Sequence, residues 1–149
     1  MPSGPNSIRA ACRIAERAFV AGVSHVRAGV TEVEAAARFA VPLASPDLPR
    51  SGGHVAFMSG PNSANAYGSH ASSGGRRMRA GDLVLVHCNS YADGRWTDIT
   101  RTFCLGWPDD RQRRMYEAVL AAREAAHASM RPGARAEDVD GAAREALSR

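Results

Sequence analysis

Two strand-like segments on either side of the dipeptide Asp93-Gly94 constrain the fold of this chain more than any other feature. The segments are "DLVLVHCNSY" (residues 82–91) and "RWTDITRTFCL" (residues 95–105). Asp-Gly between two such segments is the strongest short-range signal for a β-hairpin with a two-residue type I′ turn. The sequence therefore predicts an antiparallel strand pair whose register is fixed by the turn.

That register places four polar side chains on one face of the hairpin. His87 pairs with Thr100 and Asn89 pairs with Asp98, and alternation along each strand directs all four to the same side. His87 and Asp98 are then diagonal neighbours, about 7–8 Å apart at the backbone, so both side chains can reach one ion. The pattern alone favours a solvated sheet face and a functional site equally. To the opposite face we assign Val84, Val86, Cys88, Trp96, Ile99 and Arg101.

Helical periodicity is found on both sides of the hairpin. Thr31 and Glu34 form a capping-box pattern, Thr-x-x-Glu, at the start of the second of these helices. The predicted elements are helices over 7–26, 31–41, 110–130 and 137–147, a short strand over 54–60, and loop-like segments over 42–53 and 61–77.

The end of the chain repeats features of its beginning. "VRAGVTEVEAAAR" (residues 26–38) and "MRPGARAEDVDGAAR" (residues 130–144) share an Arg-x-Gly turn followed by a second helix. This order predicts an internal duplication, with a first pseudo-repeat over 7–107 and the start of a second over 108–149. Two unrelated helical hairpins remain the alternative, because chance identities are frequent in a chain rich in alanine and arginine.

Composition excludes several classes of function. The net charge is +4, but all 19 basic residues are arginine, and they are scattered without alternating aromatics, so we expect no nucleic-acid partner. No signal peptide or membrane span is expected either. The three cysteines form no CxxC pair, which favours free thiols and a cytoplasmic protein. No GxSxG, P-loop or HExxH motif is present.

Several of these segments resemble the pita-bread metallopeptidases, namely the Xaa-Pro aminopeptidases, prolidases and their creatinase relatives. The most specific are "GDLVLV" and "DITRTF", with His87 and Asp98 separated by ten residues, as are two metal-binding aspartates of the family. "IRAACRIAERAF", "GVTEVEAAA", "FMSGPNSA" and "RQRRMYEAVLAAREAAHASMRPG" resemble segments that precede and follow this hairpin. The resemblance implies an α+β pita-bread fold that is present only in part.

The resemblance also implies a site. Asp98 matches the aspartate that bridges two divalent metals, His87 stands where the family has another aspartate, and His70 matches a histidine that contacts the substrate. Imidazole suits Mn, Co, Zn or Fe. The family's remaining ligands, a histidine and two glutamates, belong to a second half that these 149 residues do not include.

We therefore expect a metal-dependent aminopeptidase acting on Xaa-Pro peptides, with the chain inactive by itself. Its expected partners are a small peptide substrate and either a second copy or a complementing second half, with no membrane partner. Two alternatives remain open. One is a metal-poor hydrolase or lyase like creatinase, in which a histidine performs the acid–base work. The other is an inactive truncated or partner-dependent half-domain.

Overall fold

The computed structural model of the chain describes residues 5–43, 51–65, 72–92 and 94–148. These residues fall into two compact units, Met1–Trp107 and Pro108–Arg149. Within the described ranges, no helix is both long and apolar enough to cross a lipid bilayer. Asp93 of the predicted turn and residues 44–50 of the predicted loop lie outside the described residues.

The described part of the first unit consists of helices, strands and short 3₁₀ turns. In chain order these are α1 (Pro5–Val23), α2 (Glu32–Ala40), a 3₁₀ turn (Val41–Leu43), β1 (Ser51–Ser59), a second 3₁₀ turn (Gly60–Asn65), β2 (Leu83–Ala92) and β3 (Arg95–Cys104). The two predicted helices and the hairpin strands are confirmed, although α1 ends three residues before the predicted limit.

The start of β1 differs from the prediction. The sequence pattern predicts a loop through Gly53, but β1 begins at Ser51, which pairs with Ala92 of β2. A Cβ atom at Gly53 would collide with the backbone carbonyl oxygen of Asn89. Glycine is therefore required here by the close approach of two strands, and its presence does not indicate a loop.

The sheet is antiparallel, in the order β1-β2-β3, and it is covered on one face by α1 and α2. Phe39 of α2 is fully buried and packs edge-to-face against Phe19 and Phe57, at centroid distances of 4.9 and 5.5 Å. The core beneath the helices includes Ala11, Ile14, Ala15, Ala18, Val84, Val86, Cys88 and Ala92. Because side chains alternate along a strand, the opposite face of the hairpin carries His87 and Asp98.

The predicted capping box at the start of α2 is confirmed. The Glu34 backbone N–H donates to Thr31 Oγ1 at 3.2 Å, and the Thr31 backbone N–H donates to Glu34 Oε2 at 2.8 Å. The backbone hydrogen bond from Thr31 lowers the pKa of the Glu34 carboxyl. The box fixes where the helix begins, and with it the position of the adjacent Glu32.

The second unit contains α3 (Asp110–Ser129) and α4 (Ala136–Leu147), which pack against each other. Both predicted helices are confirmed within one residue at each end. Asp109 caps α3 through a second capping box with Gln112. The turn between the helices contains Gly133 in the left-handed region, with φ +86°, a conformation that favours glycine.

Candidate functional site

The hairpin has the register that the two-residue turn predicts. His87 is paired with Thr100, and Asn89 with Asp98. Gly94, the second residue of the predicted turn, has φ +77°, as type I′ geometry requires. The four polar side chains therefore share one face of the sheet, on the side away from the buried core.

His87 is at the centre of this polar group. Its Nδ1 lies 2.9 Å from Thr100 Oγ1 and 3.4 Å from Asp98 Oδ1, and its Nε2 lies 3.3 Å from Asn89 Nδ2. Both ring nitrogens thus contact polar side chains of the same face, which fixes the plane of the imidazole. The His87 and Asp98 side chains are 31% and 71% exposed, so a ligand can reach both.

An aromatic pair lies beside these polar residues. Trp96 pairs with Tyr91 across the hairpin, with ring centroids 4.8 Å apart, and it is 64% exposed. The assignment of Trp96 to the opposite face is wrong, because Trp96 and Asp98 are two residues apart on one strand and therefore share a face. The site consequently has an apolar border of two rings next to the His87–Asp98 pair.

The third residue assigned from the sequence, His70, lies outside the described residues. Residues 61–77, predicted as one irregular segment, contain the second 3₁₀ turn through Asn65, and residues 72–77 have no helix or strand. His25, His54 and His127, which match no motif, are exposed. Of the predicted site residues, His87 and Asp98 are the two that the described part of the chain brings together.

The donor chemistry of this pair fits a divalent metal in part. A carboxylate and an imidazole are both ligands for Mn, Co, Zn or Fe. Among the described residues, however, no three His, Cys, Asp or Glu side chains are grouped closely enough to hold an ion. The pair therefore fits one side of a metal site, and further ligands would have to come from elsewhere.

A buried carboxylate that the sequence analysis missed lies at the start of α2. Glu32 is fully buried and accepts hydrogen bonds from the Ser59 backbone and hydroxyl, the Asn62 amide and the Gly74 backbone. A glutamate in the first turn of a helix is ordinarily exposed to solvent, where its negative charge interacts favourably with the helix dipole. Local sequence therefore gave no signal of its burial, which depends on contacts with residues 27 to 42 positions away.

An ion pair lies next to this carboxylate. The Arg76 guanidinium donates to both oxygens of Asp82, at 2.6 and 3.0 Å, and to Ser59 Oγ at 2.7 Å. The hydrogen bond from Arg76 lowers the pKa of Asp82, and the same bond raises the pKa of Arg76. Arg76 thus links the start of β2 to the end of β1.

Cys88 is a core residue of the hairpin. None of the three cysteines, all of which lie in the described part of the chain, forms a disulfide bond, and Cys88 lies in the core behind the polar face. Burial, with a smaller contribution from the Asp98 charge, raises the pKa of Cys88 to about 11. A thiol with this pKa stays protonated near neutral pH, so Cys88 serves as a core residue.

Comparison with known protein sequences finds the relatives of this chain among peptidases. The profile of metallopeptidase family M24 matches residues 6–149. The chain is 31% identical over 140 residues to a Xaa-Pro dipeptidase of Pyrococcus furiosus. That alignment covers 94% of this chain and 39% of the relative. The chain thus spans about two fifths of the length of this relative.

Solved structures show the same relationship. The chain resembles the X-Pro aminopeptidase from Thermotoga maritima with a TM-score of 0.85 and 28% identity, covering 96% of this chain and 40% of that one. It resembles the prolidase from Pyrococcus horikoshii with a TM-score of 0.84 and 29% identity, covering 97% and 42%. These likenesses confirm the predicted pita-bread fold, present in part. On its sequence match and its fold, the chain belongs to metallopeptidase family M24.

Proposed function

We propose that this chain provides the amino-terminal part of the catalytic domain of a metal-dependent peptidase that hydrolyses the bond before proline in Xaa-Pro peptides. The juxtaposition of His87 and Asp98 on the open face of the hairpin, 3.4 Å apart, is the observation that carries this proposal. Its relatives include a Xaa-Pro dipeptidase and an X-Pro aminopeptidase. The chain spans about 40% of those proteins, so we propose the complete activity for a longer form that also contains the remaining part.

Each site residue has a proposed role. Asp98 would bridge a pair of divalent metals, drawn from Mn, Co, Zn and Fe, and His87 would bind one of them. When bound, such a pair activates water and stabilises negative charge on the peptide carbonyl oxygen. Thr100 and Asn89 each contact one ring nitrogen of His87, and the contact at the nitrogen that does not bind metal would orient the imidazole. His70 would donate a hydrogen bond to the substrate.

The two proposed ligands are too few for a metal pair. A metal site in a protein ordinarily has at least three protein ligands, and His87 and Asp98 are two. We therefore propose that the remaining ligands come from additional chain, either a continuation of the same polypeptide or a complementing second half. The isolated 149-residue chain would then bind metal weakly and lack peptidase activity.

A second candidate function is favoured by the contacts of His87. Its Nδ1 lies against both a carboxylate and a hydroxyl, an arrangement that orients an imidazole for proton transfer. A metal-poor hydrolase or lyase on this fold, with His87 as general acid and base, would use that arrangement directly. Turnover that is unaffected by a chelator would favour this second function, whereas loss of turnover on chelation would favour the metal-dependent peptidase.

The test is a pair of hairpin variants in a longer form that contains the remaining ligands. Asp98→Ala should lower metal affinity at least about 100-fold, because even changes to outer-shell partners cost 10–100-fold. Turnover of an Ala-Pro dipeptide should fall with it. His87→Asp should raise metal affinity, because a second carboxylate adds negative charge at the site. Metal content is measured by elemental analysis, and turnover by proline release.

Asp138→Ala is the matched control for these variants. Asp138 is an exposed carboxylate in α4, outside the hairpin, so this change should leave metal content and turnover as they were. Full metal content and full turnover in Asp98→Ala would contradict the assignment of Asp98. If no form that contains the second half is active under any metal condition, the inactive half-domain becomes the better description.

A further inference from the structure

One buried carboxylate accepts hydrogen bonds from described residues on both sides of the connection between β1 and β2. Glu32 is fully buried, although it lies in the first turn of α2 and outside the hairpin site. A buried carboxylate that lacked hydrogen bonds would be costly, so the direction of its partners is informative. The four hydrogen bonds that its side chain accepts from the described residues all come from the range 59–74.

These hydrogen bonds come from both flanks of the segment 66–71. On the amino-terminal flank, Glu32 Oε1 accepts from the backbone N–H and the hydroxyl of Ser59, both at 2.7 Å, and Oε2 accepts from Asn62 Nδ2 at 2.7 Å. On the carboxy-terminal flank, Oε2 accepts from the Gly74 backbone N–H at 2.9 Å. Asn62 Nδ2 also donates to the carbonyl oxygen of Ser72 at 3.3 Å. One carboxylate therefore joins the two flanks.

Backbone contacts hold the carboxy-terminal flank at the same place. The backbone N–H groups of Glu32 and Val33 donate to the carbonyl oxygens of Arg76 and Gly74, at 3.1 and 3.2 Å. Ser73 Oγ accepts from the Phe57 N–H at 2.8 Å, on the edge of β1 that does not pair with β2. Residues 73–76 are thus bound both to the first turn of α2 and to β1. Glu32 extends this attachment to the other flank, together with the Asn62–Ser72 and Arg76–Ser59 hydrogen bonds.

A carboxylate suits this position because it accepts hydrogen bonds and donates none. Its two oxygens offer about four acceptor sites, and four donors occupy them here. Hydrogen bonds to a charged acceptor are shorter and stronger than those between neutral groups. A neutral amide in its place would present an N–H₂ group to at least one donor, and that contact would become unfavourable.

We infer that Glu32 is a positioning residue, which holds the two flanks of segment 66–71 at fixed points beside β1. This inference deepens the proposed function and rests on it, because His70, the proposed substrate contact, lies between those flanks in the sequence. Glu32 itself touches neither substrate nor metal in this proposal. It acts through its hydrogen bonds to Ser59, Asn62 and Gly74, which lie between β1 and β2 or at the end of β1.

Hydrogen–deuterium exchange of the full 149-residue chain provides the first test, with Glu32→Gln compared with wild type. Amides of residues 59–62 and 72–76 should exchange roughly tenfold faster or more, as expected when a hydrogen bond to a charged group is lost. Amides of β2 and β3 should keep their protection, because Glu32 does not contact the hairpin strands through any of the hydrogen bonds above. Unchanged exchange in both flanks, or equal loss throughout β2 and β3, would overturn the inference.

Two further variants make this test specific. Glu34→Gln is the matched control: it removes a glutamate two positions away, and glutamine can also complete a capping box, so flank exchange should stay at the wild-type rate. Asn62→Ala is the milder variant, for use if Glu32→Gln does not fold. It removes the link between Glu32 and Ser72, and exchange should accelerate at residues 72–74 alone.

Activity of a longer form separates this inference from the proposed function. Glu32→Gln should retain metal content and lose at least about tenfold in turnover, whereas Asp98→Ala should lose both. Loosened flanks with unchanged turnover would overturn the positioning role. If the wild-type longer form neither binds Ala-Pro nor cleaves it, the proposed function fails, and the exchange experiment still decides whether Glu32 holds the flanks.

Discussion

The two helix pairs of this chain begin from similar local sequences but differ in what covers them. In both pairs the turn contains a left-handed glycine, Gly29 with φ +89° and Gly133 with φ +86°. α1 and α2 bury their apolar side chains beneath the three-stranded sheet. In the described part of the second unit, Ala122 is the one hydrophobic residue that is buried. Signals from neighbouring residues are thus enough to define a helix, whereas a hydrophobic core requires a second layer of secondary structure packed against it.

The exposed apolar residues of the second unit belong to both of its helices. They include Met115, Tyr116, Val119, Leu120 and Leu147, which are between 37% and 59% exposed. Met115, Tyr116, Val119 and Leu120 lie within one stretch of α3, and exposed apolar groups close together are typical of protein interfaces. This agrees with the proposal that additional chain is needed for the complete activity. Whether the two helix pairs arose by duplication stays a prediction, because the relevant strands occur in the first unit alone among the described residues.

The largest expected difference between the units is in the response to truncation of an aromatic side chain. Phe39→Ala should lower the free energy of unfolding of the first unit by about 3–5 kcal/mol, because Phe39 is fully buried between Phe19 and Phe57. Tyr116→Ala is the matched change in the second unit, where the side chain is 48% exposed. It should cost less than about 1 kcal/mol. Urea unfolding followed by circular dichroism measures both.

Equal costs for these two variants would contradict the comparison. They would mean that Tyr116 is as well packed in solution as Phe39, or that the first unit relaxes around the missing ring. A change in the dependence on urea concentration, measured in the same experiment, would reveal the second possibility.

An intermediate effect is expected at the ion pair between Arg76 and Asp82, whose side chains are 27% and 12% exposed, whereas the Arg144–Asp140 pair of the second unit is 77% and 62% exposed. Asp82→Asn should cost about 1–3 kcal/mol at neutral pH, as for other hydrogen bonds to charged groups. Since Arg76 lowers the pKa of Asp82, the stabilisation is complete above the pKa of the unfolded carboxyl. It is lost as the pH falls through the lower pKa of the folded protein.

The measurement is the stability of wild type and Asp82→Asn between pH 7 and pH 2. The difference between them should stay constant down to about pH 4 and then shrink. Glu117→Gln, at an exposed position in the middle of α3, is the control and should follow wild type at every pH. A difference that grows on acidification would show that Asp82 is not stabilised by Arg76.

The features that sequence could predict are those fixed by near neighbours. The dipeptide Asp93-Gly94 determined the hairpin register, and Thr31 with Glu34 determined the start of α2, because each depends on residues a few positions apart. The donor pair His87 and Asp98 followed from that register. The hairpin is therefore the part of the fold and of the site that sequence predicts best.

The features that sequence did not predict depend on distant contacts. The burial of Glu32 requires Ser59 and Gly74, and the start of β1 at Ser51 requires Ala92. Neither partner is marked by local periodicity or capping. Glycines at 52 and 53 even favour the wrong conclusion, because glycine is common in loops and is also needed where strands approach closely.

The smallest expected effect concerns helix caps, where the two units should behave alike. Asp109→Ala should destabilise α3 by about 1 kcal/mol, because it removes the acceptor for the Gln112 backbone N–H at 2.7 Å. Thr31→Ala should cost a similar amount in α2, where the capping box has the same form. Hydrogen exchange of the first-turn amides in each helix measures both changes. A much larger cost for Thr31→Ala would show that its cap also supports the buried Glu32 beside it, and would extend the difference between the two units from packing to capping.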